Sequence, residues 1–162
     1  MYYKELKAAS DEAKKHGMAV VVWSYPRGGR PKAIPTEHET AFDVTLAAVK
    51  LAVEAGANIV KIKPPTAEFR DPEKKKWLES QEWFIKKGYN LNNLSDRIKV
   101  LNLLTNGRAK IFSGGAAREG VLEEIEDLIW GGADGNIIGR NSFKPEFFND
   151  KTDPVKTGRG IV

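Results

Sequence analysis

Four short apolar runs, separated by segments with helical spacing, constrain the fold of this 162-residue chain more than any other feature. They are residues 18–23 (Met-Ala-Val-Val-Val-Trp), 58–63 (Asn-Ile-Val-Lys-Ile-Lys), 109–112 (Ala-Lys-Ile-Phe) and 135–138 (Gly-Asn-Ile-Ile). Runs this short and this apolar read as buried strands. Between them, Leu6, Ala9 and Ala13 mark a helix over 2–16 that stops at Gly17. Thr36 and Glu39 match a capping box, which predicts a helix from there to Gly56, apolar around most of its circumference. Ser95 is expected to cap a third helix through Leu104, ended by Gly107. Val121, Leu122, Ile125, Leu128 and Ile129 give an amphipathic fourth helix, closed by Gly131-Gly132. Residues 66–93, with Lys74-Lys75-Lys76, Trp77 and Trp83, read as an inserted polar loop with some helix.

Strands that alternate with helices predict right-handed βαβ units and a parallel sheet. A closed (β/α)₈ barrel needs eight strands and typically about 250 residues. Four strands therefore predict half a barrel. An open doubly wound sheet is the alternative, but no glycine-rich dinucleotide fingerprint follows any of the strands. One domain is expected over residues 1–145, followed by an irregular tail at 146–162. The tail holds Pro154, Gly158 and Gly160 with no sustained apolar period.

Composition narrows the chemistry. The chain has no cysteine, which excludes disulfides, thiolate catalysis and zinc–cysteine sites. His16 and His38 are the only histidines, too few for a histidine-rich metal site. No apolar run approaches the ~18–20 residues of a membrane span, and no signal peptide opens the chain, so a cytoplasmic location is expected. The net charge is +4, but the lysines and arginines are scattered rather than gathered on one face. That pattern argues against nucleic acid and fits a small anionic ligand.

The second strand carries two lysines, which is unusual for a parallel strand. Alternation puts Val60 and Ile62 on one face and Ile59, Lys61 and Lys63 on the other. If the Val60/Ile62 face meets the helices, both lysines point into the barrel. Barrel active sites lie at the carboxyl ends of the strands. Burial disfavours a charged amine, and a neutral amine is what a Schiff-base nucleophile requires. Lys61 is the deeper of the two, and Lys63 beside Pro64 is nearer the rim. The plainer alternative makes both lysines strand-end residues that reach solvent or pair with carboxylates.

Two further loops suit an anion. Ser113-Gly114-Gly115 follows the third strand and Gly139-Arg140-Asn141 follows the fourth. Glycines let amides approach phosphate, and arginine can add two parallel hydrogen bonds. Barrels often bind phosphate with the loops after strands 7 and 8, which numbers the four strands here 5 to 8. At the end of the first strand, Trp23 and Tyr25 share a face with Val21, ahead of Arg27 in a Gly-rich loop. Trp23 could wall a pocket, Tyr25 could move a proton and Arg27 could contact a second phosphate. Equally, they could be edge packing and a solvated turn.

The set Trp-Ser-Tyr-Pro-Arg-Gly-Gly (23–29), Ile-Val-Lys-Ile-Lys (59–63), Phe-Ser-Gly-Gly (112–115) and Ile-Ile-Gly-Arg-Asn (137–141) resembles the archaeal-type class I fructose-1,6-bisphosphate aldolases. The resemblance runs from about residue 3 to residue 145, and segment 66–93 resembles the longer loop of the family's bacterial branch. It implies the C-terminal half of a TIM barrel, with Lys61 as the Schiff-base residue and Tyr25 as the proton shuttle. It implies substrate contacts from Trp23, Arg27, Lys63, Ser113, Gly114, Gly115, Gly139 and Arg140. It also implies a phosphorylated sugar substrate, no cofactor and no metal. The family's first-strand acid falls outside this sequence. The expected partners are therefore other copies of the chain or a missing N-terminal half-barrel. A related lysine-dependent synthase or thiolase acting on a phosphorylated ketose, and an inactive phosphate-binding fragment, stand as alternatives.

Overall fold

The computed structural model describes residues 2–27, 34–71, 75–114 and 120–139. In chain order these form α1 (Tyr2–Lys15), β1 (Val21–Trp23), a 3₁₀ turn (Thr36–His38), α2 (Phe42–Glu54), β2 (Ile59–Ile62), α3 (Lys75–Lys86), α4 (Leu94–Thr105), β3 (Ala109–Ser113), α5 (Val121–Trp130) and β4 (Gly135–Ile137). The strands make one sheet in the order β1-β2-β3-β4, and every pairing is parallel. Sequential parallel strands linked through helices make half of a (β/α)₈ barrel.

Register divides the sheet cleanly into two faces. Val22, Val60, Ile62 and Phe112 turn to the helices and are buried with Phe42, Leu46, Val49, Ile98, Leu101 and Leu128. Trp23, Lys61, Ile111 and Gly135 pair in one row across the other face. That face carries no covering layer among the described residues, and Val21, Trp23 and Ile137 on it are exposed. On the helical side, α2 packs on α4 and α4 on α5. The last approach is close. A Cβ at Gly131 would lie 2.4 Å from the Ile98 Cβ and 2.8 Å from the Ser95 carbonyl oxygen. Glycine at 131 is therefore a packing requirement.

The inserted segment contains α3, which docks through rings. Phe84 meets Phe42 edge-on at 6.4 Å, and Phe69 meets both Phe42 and Trp77. The tail at 146–162 lies outside the described residues.

Three local readings change. β1 begins at Val21 rather than at residue 18, because Val20 is spent on a crossing. Its N–H donates to Asn58 Oδ1, and its carbonyl accepts from the amides of Asn58 and Ile59. α4 starts at Leu94, with Asn93 as the N-cap residue in place of Ser95. The expected capping box at Thr36 and Glu39 is not formed. Thr36 lies in the 3₁₀ turn, α2 starts only at Phe42, and its N-cap Ala41 has no side chain that could cap it. Glu39 is used elsewhere.

Candidate active site

The site stands at the carboxyl end of the sheet on its open face. Lys61 is 6% exposed, unusually little for a lysine. Its Nζ lies 3.8 Å from the centroid of the Trp23 ring, its partner in register. Among the described residues Lys61 has no carboxylate partner. Its ammonium rests on an aromatic face, the arrangement in which the ring quadrupole attracts a cation. Trp23 itself is 66% exposed, so the indole covers the amine from the open side. Both residues stay in place because the Ser24 N–H donates to the Lys61 carbonyl at 2.8 Å and Ser24 Oγ donates to the Ala48 carbonyl on α2. The exit of β1 is thus fastened to β2 and to the helical layer together.

Tyr25 follows two residues on, its ring tilted against Trp23 at 6.0 Å between centroids. Arg27 and Lys63 meet at a residue that sequence reasoning had assigned to helix capping. The Glu39 carboxylate accepts from Arg27 Nη1 at 2.7 Å and lies 3.6 Å from Lys63 Nζ through the same oxygen. Glu39 is only 8% exposed. A Thr-x-x-Glu pattern reads identically whether the glutamate caps a helix or binds cations. The signal that could have found it is the presence of two cations within reach at the ends of neighbouring strands.

On the far side of Lys61, Ser113 Oγ donates to the Ile62 carbonyl at 3.4 Å, which sets Ser113 against the lysine strand. The Gly114 amide donates to the Ile137 carbonyl at 3.0 Å. That amide is committed to the sheet, so it is not a spare anion donor in this arrangement. At Gly139 a Cβ would meet no described atom within 4 Å. Gly115 and Arg140 lie outside the described residues.

Four parallel strands, helices on one face and a buried lysine on the other define half of a lysine-bearing (β/α)₈ barrel. The family model described as DeoC/LacD family aldolase matches residues 2–145. The chain belongs to that family. It is 30% identical over 163 residues to the class 1 fructose-bisphosphate aldolase of Thermoproteus tenax, covering 99% of this chain and 48% of that protein. It is 28% identical to a fructose-bisphosphate aldolase/6-deoxy-5-ketofructose 1-phosphate synthase of Methanocaldococcus jannaschii, covering 86% of this chain and 36% of that one. The chain thus spans about half the length, or less, of these curated relatives. Among solved structures it matches an archaeal fructose-1,6-bisphosphate aldolase whose catalytic lysine is bound to the carbinolamine intermediate. The TM-score is 0.66 at 23% identity, covering 98% of this chain and 49% of that one. At that identity the likeness supports the half-barrel fold.

Proposed function

We propose that this chain supplies the Schiff-base half of a class I fructose-1,6-bisphosphate aldolase. The reaction is the reversible cleavage that links glycolysis and gluconeogenesis in the cytoplasm. The observation that carries the reading is Lys61, a buried amine at the carboxyl end of a barrel strand, held by an indole instead of a carboxylate. Barrel active sites gather at this end of the strands, where an amine can reach a bound ketone.

In this reading the neutral Lys61 amine adds to the C2 ketone of fructose 1,6-bisphosphate, and loss of water gives a protonated iminium. A base removes the C4 hydroxyl proton and the C3–C4 bond breaks. Its electron pair enters the iminium to give an enamine, and glyceraldehyde 3-phosphate leaves. Protonation of the enamine at C3 restores the iminium, and water then releases dihydroxyacetone phosphate and the free amine. Tyr25 shuttles the proton between these steps. Trp23 lines the pocket and keeps a face against the nitrogen, which is cationic both as ammonium and as iminium. Ser113, Gly115, Gly139 and Arg140 hold one phosphate, with Gly114 fastening their loop to β4, while Arg27 and Lys63 serve the other.

Borohydride reduction in the presence of dihydroxyacetone phosphate, followed by peptide mass spectrometry, tests this. An adduct on Lys61 is expected. A label on Lys63, or no label, sinks the assignment. The bifunctional name of the Methanocaldococcus jannaschii relative favours a second reading, a synthase that uses the same lysine on another phosphorylated ketose. Comparing adduct yields from the two classes of ketose phosphate separates them.

A further inference from the structure

We infer that Glu39 is a positioning residue. It gathers Arg27 and Lys63 into a two-cation clamp for the phosphate of the substrate farther from Lys61. This rests on the proposed function for the identity of the substrate, but not for the existence of the anion site.

Three segments meet at Glu39. Arg27 leaves the end of β1, Lys63 follows β2, and Glu39 comes from the turn before α2. The glutamate is fixed from both sides. Its own N–H donates to the Thr36 carbonyl at 3.3 Å, and the carbonyl of the next residue, Thr40, accepts from the Thr66 amide at 2.8 Å and from Thr66 Oγ1. Its backbone is therefore tied to the exit of β2, one short step beyond Lys63. Without the carboxylate, two cations at this rim would repel and turn toward water. With it, both side chains converge on one oxygen.

The donor count leaves capacity for a ligand. A guanidinium carries five N–H groups and an ammonium three; one Arg27 N–H donates to Glu39 Oε2, and Lys63 Nζ stands 3.6 Å from the same oxygen as an ion pair without a hydrogen bond. The Arg27 side chain is 60% exposed, so its remaining donors face the open rim. Two cations against one carboxylate leave a net charge of +1. A charge-unbalanced, half-exposed cluster of this kind contributes little to stability. This one buries the anion and presents the cations, which suits a phosphate monoester.

Two measurements on the intact chain test the clamp. The first is phenylglyoxal modification of Arg27, read by mass spectrometry with and without inorganic phosphate. Phosphate should slow the modification in the unaltered chain and in Glu39→Asp, and protection should be lost in Glu39→Gln. No protection in the unaltered chain, or equal protection in Glu39→Gln, overturns the clamp. The second is the concentration dependence of the Lys61 adduct. Glu39→Gln should raise the half-saturating fructose 1,6-bisphosphate by roughly tenfold, the worth of one charge-assisted hydrogen bond. Fructose 1-phosphate, which lacks the distal group, should be unaffected. A merely structural Glu39 would shift both ketoses together. If no adduct forms but phosphate protects Arg27 through Glu39, the aldolase reading falls and the clamp stands.

Discussion

An indole lying on an amine stabilises whatever cation occupies that position, and two cations do so in turn during Schiff-base chemistry. Removing the ring by Trp23→Leu forfeits about 0.5–2 kcal/mol of cation–π attraction. Because the ammonium and the iminium both keep their charge against the ring, that loss largely cancels, and the equilibrium yield of the Lys61 adduct at fixed ketose should change by less than about threefold. A fall of about tenfold or more would show that the ring favours the iminium over the ammonium. A second residue-scale expectation concerns Lys110, which is buried on the helical face beneath the core. Its ammonium donates to Asp134 Oδ2 at 2.6 Å, and its backbone N–H donates to the same oxygen at 2.8 Å. Burial alone would raise the Asp134 carboxyl. The hydrogen bonds from Lys110 and its charge outweigh that and hold it below the usual aspartate range. A depressed carboxyl contributes stability that is complete above about pH 4 and is lost as pH falls through the lower folded value. Asp134→Asn should therefore lower the melting temperature at neutral pH and flatten its fall below about pH 4. A melting temperature whose acid limb is unchanged would remove Asp134 from the account. At this scale, strand parity gave the face of Lys61 correctly, because alternation along a strand is fixed by backbone geometry. The capping-box pattern misassigned Glu39, because the same four-residue spacing serves a helix cap and an ion-pairing turn, and only the packed neighbours distinguish them.

Elements hold the site in place by specific fastenings. Arg97 on α4 is the principal one. Buried, it donates from Nε to the Pro65 carbonyl at 3.0 Å and from Nη1 to the carbonyls of Leu91 and Asn92. It therefore links a helix to the chain just after Lys63. Arg97→Met keeps the bulk but strands the buried Pro65 carbonyl and removes the donor from two half-exposed ones at Leu91 and Asn92, which should cost about 1–3 kcal/mol. Because Pro65 leads directly from the Lys63 end of β2, the same change should also loosen the Lys63–Glu39 contact. Urea unfolding reads the first effect, and phosphate protection of Arg27 reads the second. Gly131 works in the same way between α4 and α5. A methyl there would overlap Ile98, so Gly131→Ala should cost about 1–3 kcal/mol, and a neutral result would contradict the close approach. Element types were legible because each helix and strand has its own apolar period. Their limits were less so. Val20 looks like strand and Ser95 looks like a cap, yet each yields its role to a neighbour through long-range hydrogen bonding or turn geometry that no local pattern encodes.

For the whole molecule, the decisive fact is that one face of the sheet is dressed and the other is bare. The helical face buries Val60, Ile62 and Phe112 completely. The opposite face presents Val21, Trp23 and Ile137 to solvent, and β1 and β4 each pair on one side only among the described residues. Exposed apolar strands with unpaired edges template association. Four parallel strands of this kind can be completed by four more, whether from a second copy or from the first half of a barrel, with β4 pairing an incoming first strand. The chain should therefore be oligomeric or should gain stability when a complementary half is supplied. Light scattering across a concentration series, with a thermal melt alongside, tests this. Val21→Lys and Ile137→Glu, both on the bare face and clear of the helical core, should reduce the association while leaving the helical signal intact. A compact, cooperatively melting monomer at every concentration would show that the bare face is stable in water, and the half-barrel logic would then fail at the scale on which it rests.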